Sequence, residues 1–127
     1  MAEPDSRSGP YSTKNKGNNG ENIAVKYLRS IGYRIVTTNF RAGRLGEIDV
    51  VCYDGNQLVF IEVKTRYTRD YGTPEDAVTY RKQARIRNIA RVCLYVNKLW
   101  EVNCRFDVIA VDYTQEQRMI RHWRHAF

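Results

Sequence analysis

The sequence predicts one α/β domain built on a mixed β-sheet with helices packed against it. Three observations lead to this prediction. The 127 residues are enough for a single hydrophobic core and too few for two. Apolar residues recur at helical or strand spacing in the order helix, three strands, helix, strand. An Asp54-Gly55 turn joins two β-branched runs into a hairpin.

The first helix is expected over residues 20–31. Four apolar residues lie at helical spacing within it: Ala24, Tyr27, Leu28 and Ile31. Gly32 is placed to end this helix. Residues 1–18 are rich in Ser, Gly, Pro, Asn and Lys, so this segment is expected to be disordered or loosely held.

A short strand is expected over residues 33–40, followed by a hairpin with arms at about 46–53 and 58–66. Side chains alternate between the faces of a strand. One face of the first arm therefore carries Glu47, Asp49, Val51 and Tyr53. The other face carries Ile48, Val50 and Cys52.

Turn length decides whether the charged residues of the two arms meet. A four-residue loop at 54–57 would pair Asp49 with Glu62, whereas a two-residue turn at Asp54-Gly55 would pair Asp49 with Phe60. Both even lengths place Asp49 on the same face as Glu62 and Lys64, at the end of the hairpin away from the turn. An odd loop without a bulge would separate them.

The second helix is expected to begin at Thr73-Pro74-Glu75-Asp76, with Thr73 as its cap, and to run to about Val96. Its expected buried stripe is Ala77, Ile86, Ile89, Ala90, Cys93 and Val96. The last strand, over residues 101–113, should lie parallel to the 58–66 arm, because a strand-helix-strand crossover favours a parallel pair. Residues 114–127 are expected to form a basic, aromatic tail.

The meeting of Asp49 and Glu62 on half-buried strands suggests a metal site. Two neighbouring carboxylates repel each other, which favours either protonation of one or a cation between them. Their oxygens, with the Val63 backbone carbonyl as a further ligand, suit Mg²⁺ or Mn²⁺. Lys64 would then position water or neutralise charge on a phosphoryl group. The alternative is an exposed hairpin end that carries ordinary ion pairs.

Charge favours a polyanion partner. Lys and Arg outnumber Asp and Glu by 21 to 14, a formal net charge of +7. Every charged residue between Asp76 and Glu101 is basic: Arg81, Lys82, Arg85, Arg87, Arg91 and Lys98. No apolar stretch approaches a membrane span and the start of the sequence lacks a secretory signal, so a cytoplasmic location without a membrane partner is expected. Cys52, Cys93 and Cys104 are expected to be buried, unpaired thiols.

Four segments of the sequence resemble one family closely. They are "GNNGENIAVKYLRSIGYRIVTTNFR", "GEIDVVCYDGNQLVFIEVKTR", "GTPEDAVTYRKQARI" and "RFDVIAV", and together they span about residues 17–112. These motifs are similar to those of the YraN family of small bacterial proteins. That family resembles the restriction-endonuclease-like superfamily and is similar to archaeal Holliday junction resolvases. The resemblance implies a restriction-endonuclease-like, nuclease-like domain over residues 19–113.

The resemblance also implies roles for individual residues. Asp49, Glu62 and Lys64 match the catalytic core of the superfamily, and Glu21 matches its helical carboxylate. Glu47 belongs to the Gly-Glu-Ile-Asp motif of this branch and is placed beside the metal. On the second helix, Lys82 or Gln83 would lie near the scissile phosphate, with Lys82 preferred. Arg66, Lys82 and Arg85 are the expected phosphate-binding residues.

Several residues keep two interpretations. Glu21 would either approach the metal or merely favour the dipole of its helix. Lys82 and Gln83 would either serve the site or lie on a solvated helix face. Asp107 would either support the site or pair with Arg105. In the tail, Trp123 and its neighbouring Arg and His residues would either stack on a nucleic acid strand or pack one aromatic ring against the core.

The leading hypothesis is a Mg²⁺- or Mn²⁺-dependent nuclease that hydrolyses DNA phosphodiesters and acts on branched or junction DNA. The first alternative is a nucleic-acid-binding module that keeps the site but cleaves weakly or not at all. The second is a non-enzymatic protein-interaction domain. A homodimer is a further expectation, drawn from the resolvase-like relatives.

Overall fold

A computed structural model describes residues 13–67, 78–114 and 116–127, with side chains from residue 20 onward. Two α-helices, five strands and a short 3₁₀ helix at Gly43–Leu45 make up this part of the chain. The helices and strands are α1 (Thr13–Ser30), β1 (Arg34–Arg41), β2 (Glu47–Asp54), β3 (Gln57–Arg66), α2 (Tyr80–Val96), β4 (Cys104–Asp112) and β5 (Met119–Trp123).

The five strands form one mixed sheet in the order β1-β2-β3-β4-β5. Neighbouring strands are antiparallel except for β3 and β4, which are parallel. The predicted parallel pair is confirmed, because α2 provides the crossover between these two strands. The α/β architecture is also confirmed, and it is consistent with a restriction-endonuclease-like fold.

One helix covers each face of the sheet. The α1 face buries a core formed by Ile23, Ala24, Leu28, Tyr33, Val50, Cys52, Val59, Ile61, Ile109 and Val111. The α2 face buries a second core formed by Ile48, Val51, Leu58, Phe60, Ile86, Ile89, Ala90 and Cys93. All three cysteines are unpaired, as expected, although Cys104 is only partly buried.

The hairpin loop has an even length, which places the charged residues of the two arms on one face of the sheet. Tyr53 pairs with Leu58 and Asp54 pairs with Gln57, so the register is that of the four-residue loop. Gly55 supports the turn with a positive φ of 62°, a conformation that glycine adopts without strain. The alternative pairing of Asp49 with Phe60 is therefore wrong.

The alternation of β2 breaks just before Asp49, which corrects one prediction. Ile48 was expected on the face of Val50, but it packs in the α2 core together with Val51. At the same level of the neighbouring strand, Asn39 has a positive φ of 54°. Phe40, which pairs with Ile48, packs against the same α2 core. Both strands thus change face at the level of Asp49.

The helices differ from the predicted extents. α1 begins at Thr13 rather than Gly20. The earlier start was missed because the first turns of this helix are polar and show no apolar periodicity. The predicted α2 start at residues 73–77 lies outside the described residues. The structure begins α2 at Tyr80, with the Thr79 hydroxyl accepting from Lys82 N at 3.3 Å as its cap. Val96 is 60% exposed, so its predicted place in the buried stripe is wrong: it is the last residue of α2.

A fifth strand lies where the sequence predicted a tail. Residues 119–123 pair antiparallel with β4, and Ile120 packs against the α1 core. The sequence did not predict this strand because Arg121 and His122 place a polar residue on each of its faces, so neither face shows an apolar pattern. Trp123 lies on the α2 face, opposite Val108 of β4.

Close packing fixes α1 against β3. A Cβ atom added at Gly20 would collide with Thr65 Oγ1. We expect Gly20→Ala to lose about 1–2 kcal/mol of unfolding free energy, because overpacking outweighs a helix-propensity gain of about 1 kcal/mol. Urea unfolding of Gly20→Ala, Thr65→Ala and the double variant measures this. The double variant should recover most of the loss, and strictly additive effects would contradict the proposed contact.

Candidate functional site

The candidate site lies near the start of β2 and in the middle of β3, away from the hairpin turn. Val50 of β2 pairs with Ile61 of β3. The same register, continued by one residue, sets Asp49 opposite Glu62. The structure therefore brings together the two carboxylates that the sequence singled out.

Asp49 lies against the backbone of β3. Its Oδ2 atom accepts a hydrogen bond from Val63 N at 2.8 Å. Burial and the charge of Glu62 raise the pKa of Asp49 to about 8, and Glu21 adds to this effect. In the absence of a metal ion, the Asp49 carboxyl therefore keeps its proton to a much higher pH than an ordinary aspartate does.

The Val63 carbonyl points to the same edge of β3 as its N–H. Along a strand in an antiparallel pair, residues alternate between presenting both backbone groups to the partner strand and turning both away. Leu58 N donates to Asn103 O on the β4 side, so Val63, five residues on, presents its backbone groups to β2. The carbonyl predicted as a metal ligand thus lies on the side of β3 where Asp49 is bound.

Glu62 and Lys64 form an ion pair beside Asp49. Lys64 Nζ lies 3.0 Å from Glu62 Oε2, and the two side chains are only 19% and 16% exposed. Burial alone would lower the pKa of Lys64, but Glu62, Lys82 and Asp49 together raise it above its usual value. Lys64 is therefore a stable cation in this site.

Lys82 brings a second amine from the first turn of α2. A hydrogen bond with Lys64, partial burial and the Lys64 charge lower the pKa of Lys82. Two lysine amines in contact repel each other when both are charged. The two amines form a local positive centre, and a bound anion would reduce the repulsion between them.

Glu21 approaches the carboxylates from α1. Burial raises the pKa of Glu21, hydrogen bonds with Asn39 and Asp49 lower it, and the charge of Glu47 raises it; the net shift is upward. Because α1 begins at Thr13, Glu21 lies well inside the helix and not at its N-terminus. The dipole interpretation therefore fails.

Asn39 was not anticipated from the sequence. Its positive φ and its hydrogen bond to Glu21 place it among the acidic residues. The only sequence feature that marks it is an asparagine at the end of a strand, next to a glycine-rich loop, which is common to many turns.

The remaining predicted residues lie around this centre. Glu47 stands on the rim, 3.4 Å from Arg41 Nη1 in an exposed ion pair. Gln83 Nε2 donates to Val78 O at 3.2 Å. Arg85 is exposed on α2 and lies close to Gly46, and Arg66 lies near enough to Asp112 to lower the pKa of that carboxyl.

Asp107 belongs to a separate buried cluster. Both of its oxygens bind Arg105, Oδ1 to Nε at 3.0 Å and Oδ2 to Nη2 at 3.1 Å. Arg105 Nη1 also donates to Asp54 at 2.8 Å and to Gln57 at 3.0 Å, while its Nη2 donates to the Tyr33 hydroxyl at 2.6 Å. The structure therefore pairs Asp107 with Arg105, and these contacts lie near the hairpin turn.

The same cluster includes the end of the described chain. His122 Nε2 lies 2.7 Å from Asp107 Oδ2, and His122 Nδ1 lies 3.0 Å from the Tyr27 hydroxyl. His125 N donates to Asp107 Oδ1 at 3.2 Å. Burial alone would raise the pKa of Asp107, but its bonds with His122 and Arg105 hold it below the usual value. The cluster is fully paired and holds α1, β4 and β5 together.

The oxygen ligands of the candidate site fit a small divalent cation. Within residues 20–67, 78–114 and 116–127, no three His, Cys, Asp or Glu side chains are grouped to hold a metal by themselves. Mg²⁺, however, is usually bound by one or two carboxylates together with waters and substrate phosphates. Asp49 and Glu62 are a pair of that kind. The charge of Glu62 helps to raise the pKa of Asp49, and a bound cation would offset this repulsion between the two carboxylates.

The fold and the site define an α/β domain with facing carboxylates beside two lysines at one end of its central hairpin. Comparison with known families places it further. The model of the uncharacterised protein family UPF0102 matches residues 20–111. The chain belongs to this family, and its predicted resemblance to the YraN family is confirmed.

Individual relatives match along most of their length. A UPF0102 protein of Natranaerobius thermophilus is 44% identical over 116 residues, which is 90% of this chain and 98% of the relative. One from Alkaliphilus oremlandii is 44% identical over 110 residues, or 85% and 93% of the two chains. One from Clostridium botulinum is 49% identical over 104 residues, or 80% and 82%. Within the described residues, no helix is long and apolar enough to span a membrane.

Proposed function

We propose that this protein is a Mg²⁺- or Mn²⁺-dependent nuclease that hydrolyses DNA phosphodiesters. One observation carries the proposal: Asp49 and Glu62 face each other across two strands, directly beside the amines of Lys64 and Lys82. Carboxylates that bind a cation and amines that bind an anion are the two elements that phosphodiester hydrolysis requires.

In this proposal, Asp49, Glu62 and the Val63 carbonyl hold the metal, and Glu21 supports them. A metal ion bound there supplies a Lewis acid and lowers the pKa of water. Asn39 orients Glu21 through their hydrogen bond. Glu47, on the exposed rim, adds negative charge near Glu21 without being buried itself.

Lys64 stabilises the charge that develops on the phosphate. Its raised pKa keeps it protonated, so it donates hydrogen bonds and does not accept a proton. Lys82 approaches from α2 and binds the same phosphate or the next one. Of the two residues considered for this position, Lys82 contacts Lys64, whereas Gln83 bonds to Val78 O.

The α2 surface favours DNA as the substrate. Arg81, Arg85 and Arg91 are exposed on this helix. Arg87 is different, because its guanidinium lies 5.2 Å from the centre of the Phe127 ring and covers it. Exposed arginines next to Lys82 would bind the phosphates that flank the reacting one. The resemblance of the sequence motifs to those of a family similar to junction resolvases extends the proposal to branched DNA and to a homodimer acting in the cytoplasm.

A second candidate is a binding module that does not cleave. The observation in its favour is that one oxygen of each carboxylate is already engaged: Asp49 Oδ2 by Val63 N, and Glu62 Oε2 by Lys64. If these bonds persist when a metal ion is present, the site binds phosphate through its lysines and leaves the bond intact.

Cleavage of a panel of linear, nicked, flapped and four-way DNA with Mg²⁺ or Mn²⁺ tests the proposal. We expect the parent protein to cleave at least one substrate, and Asp49→Ala and Lys64→Ala to be about 100-fold slower or worse, as for loss of one charge-stabilising group. Gel analysis of end-labelled DNA measures the rates.

Two exposed residues provide matched controls. Glu101→Ala and Lys98→Ala remove the same charges far from the hairpin end, and both variants should cleave at the parental rate. A parent that cuts nothing, or Asp49→Ala and Lys64→Ala proteins that cut as fast as the controls, would remove the nuclease proposal. DNA binding without cleavage would leave the binding module.

A further inference from the structure

A small cavity opens on the α2 face of the sheet beside the proposed site. Its volume is about 120 Å³, and it is lined by Val78, Gln83, Val108, Trp123, Ala126 and Phe127. An apolar cavity of about 150 Å³ accommodates benzene. This cavity is somewhat smaller, so a flat six-membered ring would fill it and leave its substituents at the open mouth.

Sheet register joins this cavity to the carboxylates. Glu62 pairs with Val108 of β4, and Val108 pairs with Trp123 of β5. The three residues form one row across the sheet, and neighbouring strands are about 4.8 Å apart. Trp123 therefore lies about 10 Å from Glu62 at the level of the backbone, a distance that one nucleotide spans.

The wall combines the Trp123 ring with one polar side chain, Gln83, and Arg121 lies over that ring outside the lining residues. Gln83 presents an amide, which carries both donors and an acceptor, and one of its N–H groups is used by Val78 O. The Arg121 guanidinium carbon lies 5.7 Å from the centre of the Trp123 ring. Arg121 Nε is buried and has no hydrogen-bond partner in the described part of the chain, although its Nη2 binds Asp112 at 2.9 Å.

We propose that this cavity receives one unpaired nucleobase of the DNA strand held at Lys64 and Lys82. The base would stack on Trp123, and the amide of Gln83 would face its polar edge. The neighbouring phosphate would lie toward the two lysines, and Arg121 would meet the sugar-phosphate backbone. The identity of the ligand as DNA rests on the proposed function.

This proposal restricts the substrate class. A base inside a continuous duplex is stacked and paired, so it reaches a side pocket only at the energetic cost of extrusion. Single strands, flaps, bulges and junction branch points already contain unpaired bases. The cavity therefore favours DNA with an unpaired nucleotide next to the reacting phosphate and disfavours blunt duplex.

Tryptophan fluorescence tests the stacking directly. The chain contains only two tryptophans, Trp100 and Trp123, and Trp100 lies 66% exposed just after α2. In Trp100→Phe, the remaining Trp123 should be quenched by a thymidine oligonucleotide in EDTA and not by the same backbone made abasic. In Trp123→Phe, the remaining Trp100 should respond equally to both. Equal quenching of Trp123 by both oligonucleotides would overturn the proposal.

Affinity gives a second measurement. We expect Trp123→Ala to weaken binding of single-stranded DNA about tenfold or more, the effect of losing one stacked base, and to leave blunt-duplex affinity nearly unchanged. Trp100→Ala is the matched control and should bind both DNAs as the parent does. Circular dichroism verifies that each variant is folded. An equal loss for both DNAs would contradict a base pocket.

Failure of this proposal is separable from failure of the proposed nuclease. Both binding measurements are made without metal, so they do not depend on cleavage. Base-dependent quenching in a protein that never cuts would support the cavity and reject the nuclease. Cleavage by a protein whose Trp123 does not distinguish thymidine from abasic DNA would support the nuclease and reject the cavity.

Discussion

Replacing Arg105 with methionine is expected to lower the free energy of unfolding by about 3–5 kcal/mol. Arg105 is 5% exposed and Asp107 is fully buried, and the guanidinium binds both oxygens of that carboxylate. Methionine fills part of the volume but leaves Asp107 charged and buried. Because small domains are stable by only about 5–15 kcal/mol, this loss is a large fraction of the total. Urea unfolding followed by circular dichroism measures it.

A surface ion pair supplies the matched control. Arg41 and Glu47 are 64% and 40% exposed at 3.4 Å, so Arg41→Met should cost at most about 1 kcal/mol. Combining Arg105→Met with Asp107→Leu should recover part of the loss, since the unpaired carboxylate is removed but buried His122 loses its partner. An Arg105→Met protein as stable as Arg41→Met would show that the cluster does not stabilise the fold.

Asp49→Asn is expected to raise stability at alkaline pH and to abolish stabilisation by Mg²⁺. The pKa of Asp49 is raised from its usual value near 4 to about 8 in the folded protein. Between those values the folded state holds a proton that the unfolded state has released. Parental stability should therefore decrease as pH rises from about 4 to about 8, and the loss is complete above that range.

Asparagine has no charge to lose, so the pH slope should flatten in Asp49→Asn. At pH 8–9 the variant should be about 1–3 kcal/mol more stable than the parent in EDTA. This is well below the ceiling of about 6 kcal/mol that a shift of about four pKa units sets at about 1.4 kcal/mol per unit. Mg²⁺ at 100 times its dissociation constant should stabilise the parent by about 2.7 kcal/mol and the variant hardly at all.

Thermal unfolding from pH 5 to pH 9, with and without MgCl₂, provides the comparison. Glu101→Gln, which neutralises an exposed carboxylate, should show the parental pH slope and the parental response to Mg²⁺. If Asp49→Asn keeps the full Mg²⁺ response, Asp49 is not a metal ligand. If it also keeps the parental slope, Asp49 does not carry the buried proton.

The hairpin was predictable because strand periodicity and turn length are local properties. Either even loop placed Asp49 on the same face as Glu62, but parity left open whether Asp49 would pair with Glu62 or with Phe60, and only the register of the structure decided it. The parallel pairing of β3 with β4 followed from the length of the crossover that contains α2. Each of these features depends on residues that are close together in the sequence.

The features that were missed depend on distant parts of the chain. Ile48 changes face at the level where Asn39, in the neighbouring strand, adopts a positive φ. The strand around His122 carries no continuous apolar pattern, because His122 is buried by its bonds to Asp107 and Tyr27 and not by hydrophobic packing. A polar side chain that is buried in this way looks exposed in the sequence.

The candidate site was predictable in its composition but not in its surroundings. Lys82 followed from the family pattern, and the structure places it against Lys64. The role of Asn39 could not be foreseen, since it requires α1 and β1 to be set beside each other. The sequence also could not decide whether Asp107 supports the site or pairs with Arg105. The two residues lie on the same face of β4 and bind each other, but several other residues share that face.

The buried cluster of Arg105 and Asp107 also bears on how the chain folds. Its hydrogen bonds join residues that are 72 positions apart, Tyr33 and Arg105, and 95 positions apart, Tyr27 and His122. Arg105 also binds Asp54 and Tyr33 from the first half of the sequence, so neither half completes this cluster alone, and closing such long loops is slow. The hairpin can therefore form early as a local unit, while the docking of β4 and β5 comes late. Both sheet faces should then unfold in one cooperative transition, with the slowest amide exchange in β3 and β4.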